Sequence, residues 1–271
     1  MLTNDWLTDA VLYIYALSLL FFVSDAAYGK RNGKRIGTGL LVFVWILQTG
    51  FLLDLLVTRF ASAEVALRDF VFFISWLLVS FSLALLRFVR AEVLVLLVNV
   101  AGFAVLFLNL LERPHRKIAL ESWEVARRLL YAHIGLITLS FAILTVAAIL
   151  AGMYLFLHWR LKKKKWGDVM NRMPSLEAID RYSFRTVLLG VPLLLLSLST
   201  GLAALLEQGE YAQLLDAKVL LTVATSCVYA YYLFARGASH DDAPRSAVWN
   251  LTGYLILIAG VFVNSFSSFH K

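Results

Sequence analysis

The sequence predicts an all-α, polytopic membrane bundle of about eight transmembrane helices, and three observations lead there. Of 271 residues, 61% are hydrophobic and only 16% are charged, with a mean hydropathy of +0.77. A water-soluble domain carries roughly a quarter charged residues, so this chain faces something other than water. Apolar runs of about 20 residues, the length that crosses a hydrocarbon core as a helix, recur along the whole chain. In lipid the backbone must also satisfy its own hydrogen bonds, which a helix does within one segment.

The elements follow in order. Spans are expected at Leu7–Tyr28, Ile36–Val57, Phe70–Val89, Glu92–Leu111, Leu129–Leu157, Thr186–Leu206, Ala217–Ala235 and Ser246–Phe269. The first run is preceded by acidic Asp5 and no basic residue, so it reads as a retained span rather than a cleavable leader. Short connections predict antiparallel neighbours in a single integral-membrane domain over residues 1–271. Two loops are longer. Residues 112–128 carry Ile118, Leu120 and Trp123 among charges and are expected to lie along the interface. Residues 158–185 contain Lys162 to Lys165 and then Pro174-Ser175, which predicts a short helix through Leu176 and Ile179 with Ser175 as its N-cap.

Charge sets the expected orientation. With both termini outside, sixteen Lys and Arg residues fall in inner loops and eight in outer segments, which fits the positive-inside rule. The net charge of +7 is therefore assigned to loops at the membrane surface, not to a nucleic-acid partner. The single Cys227 rules out an internal disulfide and any cysteine-based zinc or iron–sulfur site within the chain. No Walker-type loop, GxGxxG after a strand, HExxH or GxSxG occurs; the glycines and cations of 29–35 make a tight inner turn.

Ionisable groups in an apolar zone are expensive, so each asks for a reason. Asp54, Asp69, His133, Asp216, Lys218 and His270 all project to the outer level. Wet interfacial positions explain any one of them, and His115 and His240 sit in charged loops. His133 is expected to open its helix, and Ser140, Ala147 and Ala151 lie within about 40° of its direction. Small residues on one stripe mark a helix contact face, so His133 is expected to look into the bundle. The last helix has a comparable stripe of Gly253, Gly260, Asn264 and Ser267, with His270 one turn beyond. Two imidazoles at one depth suit an axial pair for haem iron, with interfacial solvation as the plainer alternative.

Several segments carry a resemblance in their order and spacing. They are Trp45-Ile46-Leu47-Gln48-Thr49, then Asp69 through Ser75-Trp76, then Ala132-His133-Ile134 with Leu139-Ser140-Phe141. Lys165-Trp166-Gly167, Gly190-Val191-Pro192-Leu193, Leu195-Leu196-Ser197-Leu198, Asp216-Ala217-Lys218 and Ser268-Phe269-His270 follow. Over nearly its whole length the chain resembles HemX-type membrane proteins, a branch of the haem-handling cytochrome c assembly superfamily. The resemblance implies a bacterial plasma-membrane protein with His133 and His270 as haem ligands. It adds Asp216, Lys218, Asp69 and Trp76 to the candidate cofactor-binding set. The haem-handling relatives carry a tryptophan-rich outer loop, whereas Glu207 to Lys218 contains no tryptophan.

The resemblance also implies a non-enzymatic regulator that lowers the level of glutamyl-tRNA reductase. Such a regulator would meet the reductase, or a protein controlling it, through the cytosolic loop 158–185. The competing readings are a haem-handling component of cytochrome c maturation and a small-solute transporter. The latter would need a polar midplane path, for which Pro192, Asn99 and Asn109 offer little.

Overall fold

The computed structural model describes residues 5–28, 31–58, 67–88, 92–111, 124–164, 173–208, 211–238 and 242–267. Among these residues there are eight α-helices, one 3₁₀ turn and no strand. The helices are α1 (Asp5–Tyr28), α2 (Arg31–Thr58), α3 (Leu67–Phe88), α4 (Glu92–Leu111) and α5 (Glu124–Lys162). They continue with α6 (Leu176–Glu207), the 3₁₀ turn Tyr211–Leu215, α7 (Ala217–Ala238) and α8 (Ala243–Ser267). Six are long and apolar enough to cross a membrane, and α3 and α4 carry the shorter apolar stretches Phe72–Leu86 and Val93–Phe107. The polytopic helical bundle expected from hydropathy is the observed fold.

Three helices outrun the spans read from hydropathy, because a helix ends where its backbone loses partners and not where hydropathy falls. α2 starts at Arg31 rather than Ile36, so residues 31–35 are helical and not part of a tight turn. α5 has 39 residues, about 58 Å at 1.5 Å per residue. Arg160 and Lys162 stand in its last turn, cations that complement the helix dipole. The backbone leaves the helix at Lys164, whose φ of 53° is left-handed and whose N–H bonds the Leu161 carbonyl at 2.9 Å.

Ser175 does cap a helix, with φ −60° and ψ 152°, and its hydroxyl accepts from the Ala178 N–H at 3.3 Å. That helix is not a separate short one. Nothing between Leu176 and Thr186 interrupts it, so it runs straight into the following span as α6, 32 residues long and passing through Pro192. The expected loop 158–185 is thereby corrected. Residues 158–162 belong to α5 and 176–185 to α6, and residues 165–172 between them lie outside the described part. Of the expected interfacial loop 112–128, residues 112–123 fall outside the described part and 124–128 are helical.

The helices gather into two compact units, α1–α4 and α5–α8. In the first, α1 packs on α2 and α4, and α3 closes the ring against both. Val11, Tyr15, Leu41, Val44, Phe72, Val79 and Leu106 form its core. In the second, α5 and α6 share the most extensive contact, α8 lies against α5 and α7, and α6 touches α7. Its core is Leu144, Ala147, Val187, Val191, Leu194, Tyr229, Tyr232 and Leu257.

With lipid outside, burying apolar surface gives helices little reason to associate, so close packing and interhelical hydrogen bonds must do it. Each unit buries an asparagine for the purpose. In the first, Tyr15 donates to Asn99 Oδ1 at 3.3 Å, and the Asn99 amide donates to Ser82. In the second, the Asn250 amide donates to the Ala147 carbonyl and the Ser183 hydroxyl, both at 3.1 Å, while Tyr229 donates to its Oδ1 at 3.3 Å.

Candidate functional site

His133 lies in the third turn of α5, about 14 Å along from Glu124. It does not open the helix as hydropathy suggests, because residues 124–128 extend α5 ahead of the apolar run. It lies four positions after Leu129, where that run begins. The stripe it belongs to faces α6. Ala147 and Ala151 are fully buried, and the Ser140 hydroxyl donates to the Gly190 carbonyl at 2.9 Å. Gly190 allows this approach, since a Cβ there would stand 2.8 Å from Leu144 Cδ2.

At the His133 end of the stripe, α6 supplies Ser197, Thr200 and Gly201. The imidazole Nδ1 is 2.6 Å from the Ser197 carbonyl oxygen and 3.0 Å from its hydroxyl, and that hydroxyl donates to the His133 carbonyl at 3.1 Å. Thr200 donates to the same Ser197 carbonyl at 2.9 Å. A Cβ built on Gly201 would sit 2.7 Å from Nδ1 and 2.9 Å from Cε1. The ring therefore rests against bare backbone. Sequence reading quoted Ser197 without giving it a partner and passed over Gly201. Their i, i+4 spacing of small residues in an apolar helix is the signal that was available.

The other predicted residues are placed as follows. Asp216 and Lys218 pair with each other, Nζ to Oδ2 at 3.4 Å, with both side chains nearly half exposed. Asp216 precedes α7 and its carbonyl accepts from the Val219 and Leu220 N–H groups, so it serves as the start of that helix. Trp76, in the first unit, is locked to α2. Its indole N–H donates to Thr49 at 2.9 Å, and Thr49 in turn donates to the Trp45 carbonyl at 2.7 Å. The Trp45 indole donates to Ser80 at 2.9 Å, and Ser80 donates back to the Trp76 carbonyl at 2.8 Å. The two rings stack at 6.4 Å, and Phe73 stacks on Trp76 at 5.6 Å. Asp69 lies in the first turn of α3. His270 is outside the described residues, and of its expected stripe Gly253 and Gly260 face Tyr229 and Leu221 of α7.

The second unit also holds a charged cluster at its other end. Asp180 of α6 and Arg236 of α7 form an ion pair with side chains only 22% and 19% exposed. Arg236 also reaches Ser246 of α8 at 3.3 Å and lies 6.0 Å from the Phe184 ring centroid. The partners of this pair are remote in sequence, so neither residue stands out from its own segment. At the same end of α5, His158 stacks on Tyr154 at 6.0 Å, and Lys163 lies 4.0 Å over Trp159.

Comparison with known proteins agrees with this helical framework. A cytochrome c assembly protein family model matches residues 64–270. The chain is 35% identical to Protein HemX of Brevibacillus brevis over 98% of its own length and 97% of that protein. It is 31% identical to Protein HemX of Bacillus subtilis over 97% and 96% of the two chains. Inner membrane protein YpjD of Escherichia coli is 34% identical over 48% of each chain. A multi-pass inner-membrane location follows from these relatives and the apolar helices together. The chain belongs to the cytochrome c assembly protein family, in its HemX-type branch.

Proposed function

We propose that this protein is a non-enzymatic membrane regulator of haem biosynthesis. In this reading it binds haem at the outer leaflet through His133 and His270 and lowers the level of glutamyl-tRNA reductase. The observation that carries the reading is His133 itself: an imidazole inside an apolar helix, turned toward α6 and hydrogen-bonded there through one ring nitrogen. Histidine in a spanning segment is rare unless it serves a function, and imidazole is a normal axial ligand of haem iron. The donor chemistry at His133 thus fits the group. Haem, if bound, would be held by the His133 imidazole and would supply an iron centre there. Lys218, half exposed beside Asp216, offers an ammonium group to carboxylates at the rim of such a ligand.

The family match favours a second reading, a component that hands haem to cytochrome c. Against it, the connection from Gln208 to Asp216 offers Tyr211 and no tryptophan, so it lacks a broad aromatic surface on which to present a porphyrin. For the regulatory reading, the ends of α5 and α6 within 158–185 are the surface offered to the reductase or to a protein that controls it.

One pair of strains separates the two. Deleting the gene is expected to raise reductase abundance and leave covalent cytochrome c haem intact, measured by immunoblot and haem staining. His133→Ala in the purified protein should abolish a low-spin haem spectrum that His240→Ala preserves. Normal reductase with lost cytochrome c haem would replace the first reading by the second.

A further inference from the structure

We propose that α6 positions the His133 imidazole, with the Ser197 carbonyl fixing its tautomer and Gly201 providing the space in which the ring lies. The functional purpose rests on the reading of His133 as a haem ligand; the geometry does not. A carbonyl oxygen can only accept a hydrogen bond, so a nitrogen 2.6 Å from it must carry the proton. Neutral imidazole has one N–H, which leaves the lone pair on Nε2. The Ser197 hydroxyl does not reverse this. Its own proton goes to the His133 carbonyl, so the oxygen also presents a lone pair to Nδ1, at 3.0 Å. Nδ1–H thus meets two acceptors from one residue.

Holding one imidazole nitrogen against a carbonyl is how a metal-ligating histidine is aimed, because it sets both tautomer and ring direction. Gly201 makes the arrangement possible. A methyl group there would overlap Nδ1 and Cε1, and the movable partner is the end of the histidine side chain rather than either helix backbone. Gly201→Ala should therefore displace the ring at small cost to the fold. Gly135, half a turn beyond His133 on α5, has no atom within 4 Å of a built Cβ and supplies the control.

The test uses the haem-free, full-length protein with ¹⁵N-labelled histidine, and His133→Gln identifies the signals. The wild type should show Nδ1 protonated and Nε2 bare, and Gly135→Ala and Ser197→Ala should keep that pattern, since both retain the carbonyl. Gly201→Ala should lose it. On haem titration Gly201→Ala should also bind at least about tenfold more weakly, the usual cost of removing such a support. A proton on Nε2 in the wild type overturns the proposal, as does a switch in Ser197→Ala or unchanged nitrogen signals in Gly201→Ala. The expected tautomer with no Soret band after titration would sink the haem reading and leave the positioning intact. His133-dependent haem binding that Gly201→Ala leaves unaltered would do the reverse.

Discussion

The units α1–α4 and α5–α8 are both rings of four helices tied through a buried tyrosine and asparagine, yet they distribute their polar ties differently. In α1–α4 the ties are pairwise and spread out. Ser18 bonds the Gly37 carbonyl between α1 and α2, the tryptophan clasp joins α2 to α3, and Gln48 reaches Ser75, which reaches the Gly102 carbonyl of α4. Asn99 then links α4 to α1 and α3. In α5–α8 one residue reaches all three of the other helices: Asn250 of α8 holds α5 through Ala147, α6 through Ser183 and α7 through Tyr229. Spreading the ties is expected to make α1–α4 less sensitive to the loss of any one of them. The hub leaves α5 and α6 to meet along a stripe of small residues, and that stripe is where His133 sits.

Three comparisons test this contrast. The largest effect is expected for Gly190→Ala, where the new methyl meets Leu144 inside the α5–α6 contact. Overpacking of this kind costs roughly 2–3 kcal/mol. Thermal unfolding in detergent should show it, while Gly50→Ala, with no atom within 4 Å of its Cβ, should be close to neutral. A Gly190→Ala protein as stable as wild type would mean that α5 and α6 are not held by their small residues.

Next comes Asn250→Leu, set beside Asn99→Leu. Interhelical hydrogen bonds in membranes average about 0.6 kcal/mol and reach about 1.7. Losing the three made by Asn250 should cost about 2 kcal/mol, and losing the two interhelical bonds of Asn99 about two-thirds of that, in the same unfolding assay. Equal losses would erase the distinction between hub and pairwise ties.

The smallest effect belongs to the clasp. Ser80→Ala removes one acceptor and one donor but leaves Trp76 bonded to Thr49. A loss of about 0.5–1 kcal/mol is expected. The freed Trp45 indole should alter tryptophan fluorescence more than it alters stability.

The fold was legible because lipid imposes one rule everywhere: an apolar run long enough to span becomes a helix. Helical periodicity also carried the orientation of His133, since Ser140, Ala147 and Ala151 fix a face whatever lies opposite. What lay opposite was not legible. That Ser197 and Gly201 of α6 meet the imidazole depends on how far two antiparallel helices slide along each other, and no residue pattern in either helix states it. The ends of α5 and α6 were misjudged for a related reason. Hydropathy reports where lipid stops, while Ser175 and the left-handed Lys164 mark where backbone hydrogen bonding stops. Asn250 and Asp180 were passed over because each looks ordinary until its remote partners arrive.

The extension of α6 back to Leu176 has a thermodynamic consequence for anything that binds there. A 28-residue loop would have to be ordered on contact, and each backbone residue fixed costs on the order of 1–2 kcal/mol. Residues 158–162 and 176–185 are already helical, α6 is started by Ser175 and braced by the Asp180–Arg236 pair, and so the ordering has been done during folding. A modest contact area on this preformed surface can therefore yield useful affinity. Removing the cap with Ser175→Ala would let the first turn of α6 fray and return part of that ordering cost to any binding event there.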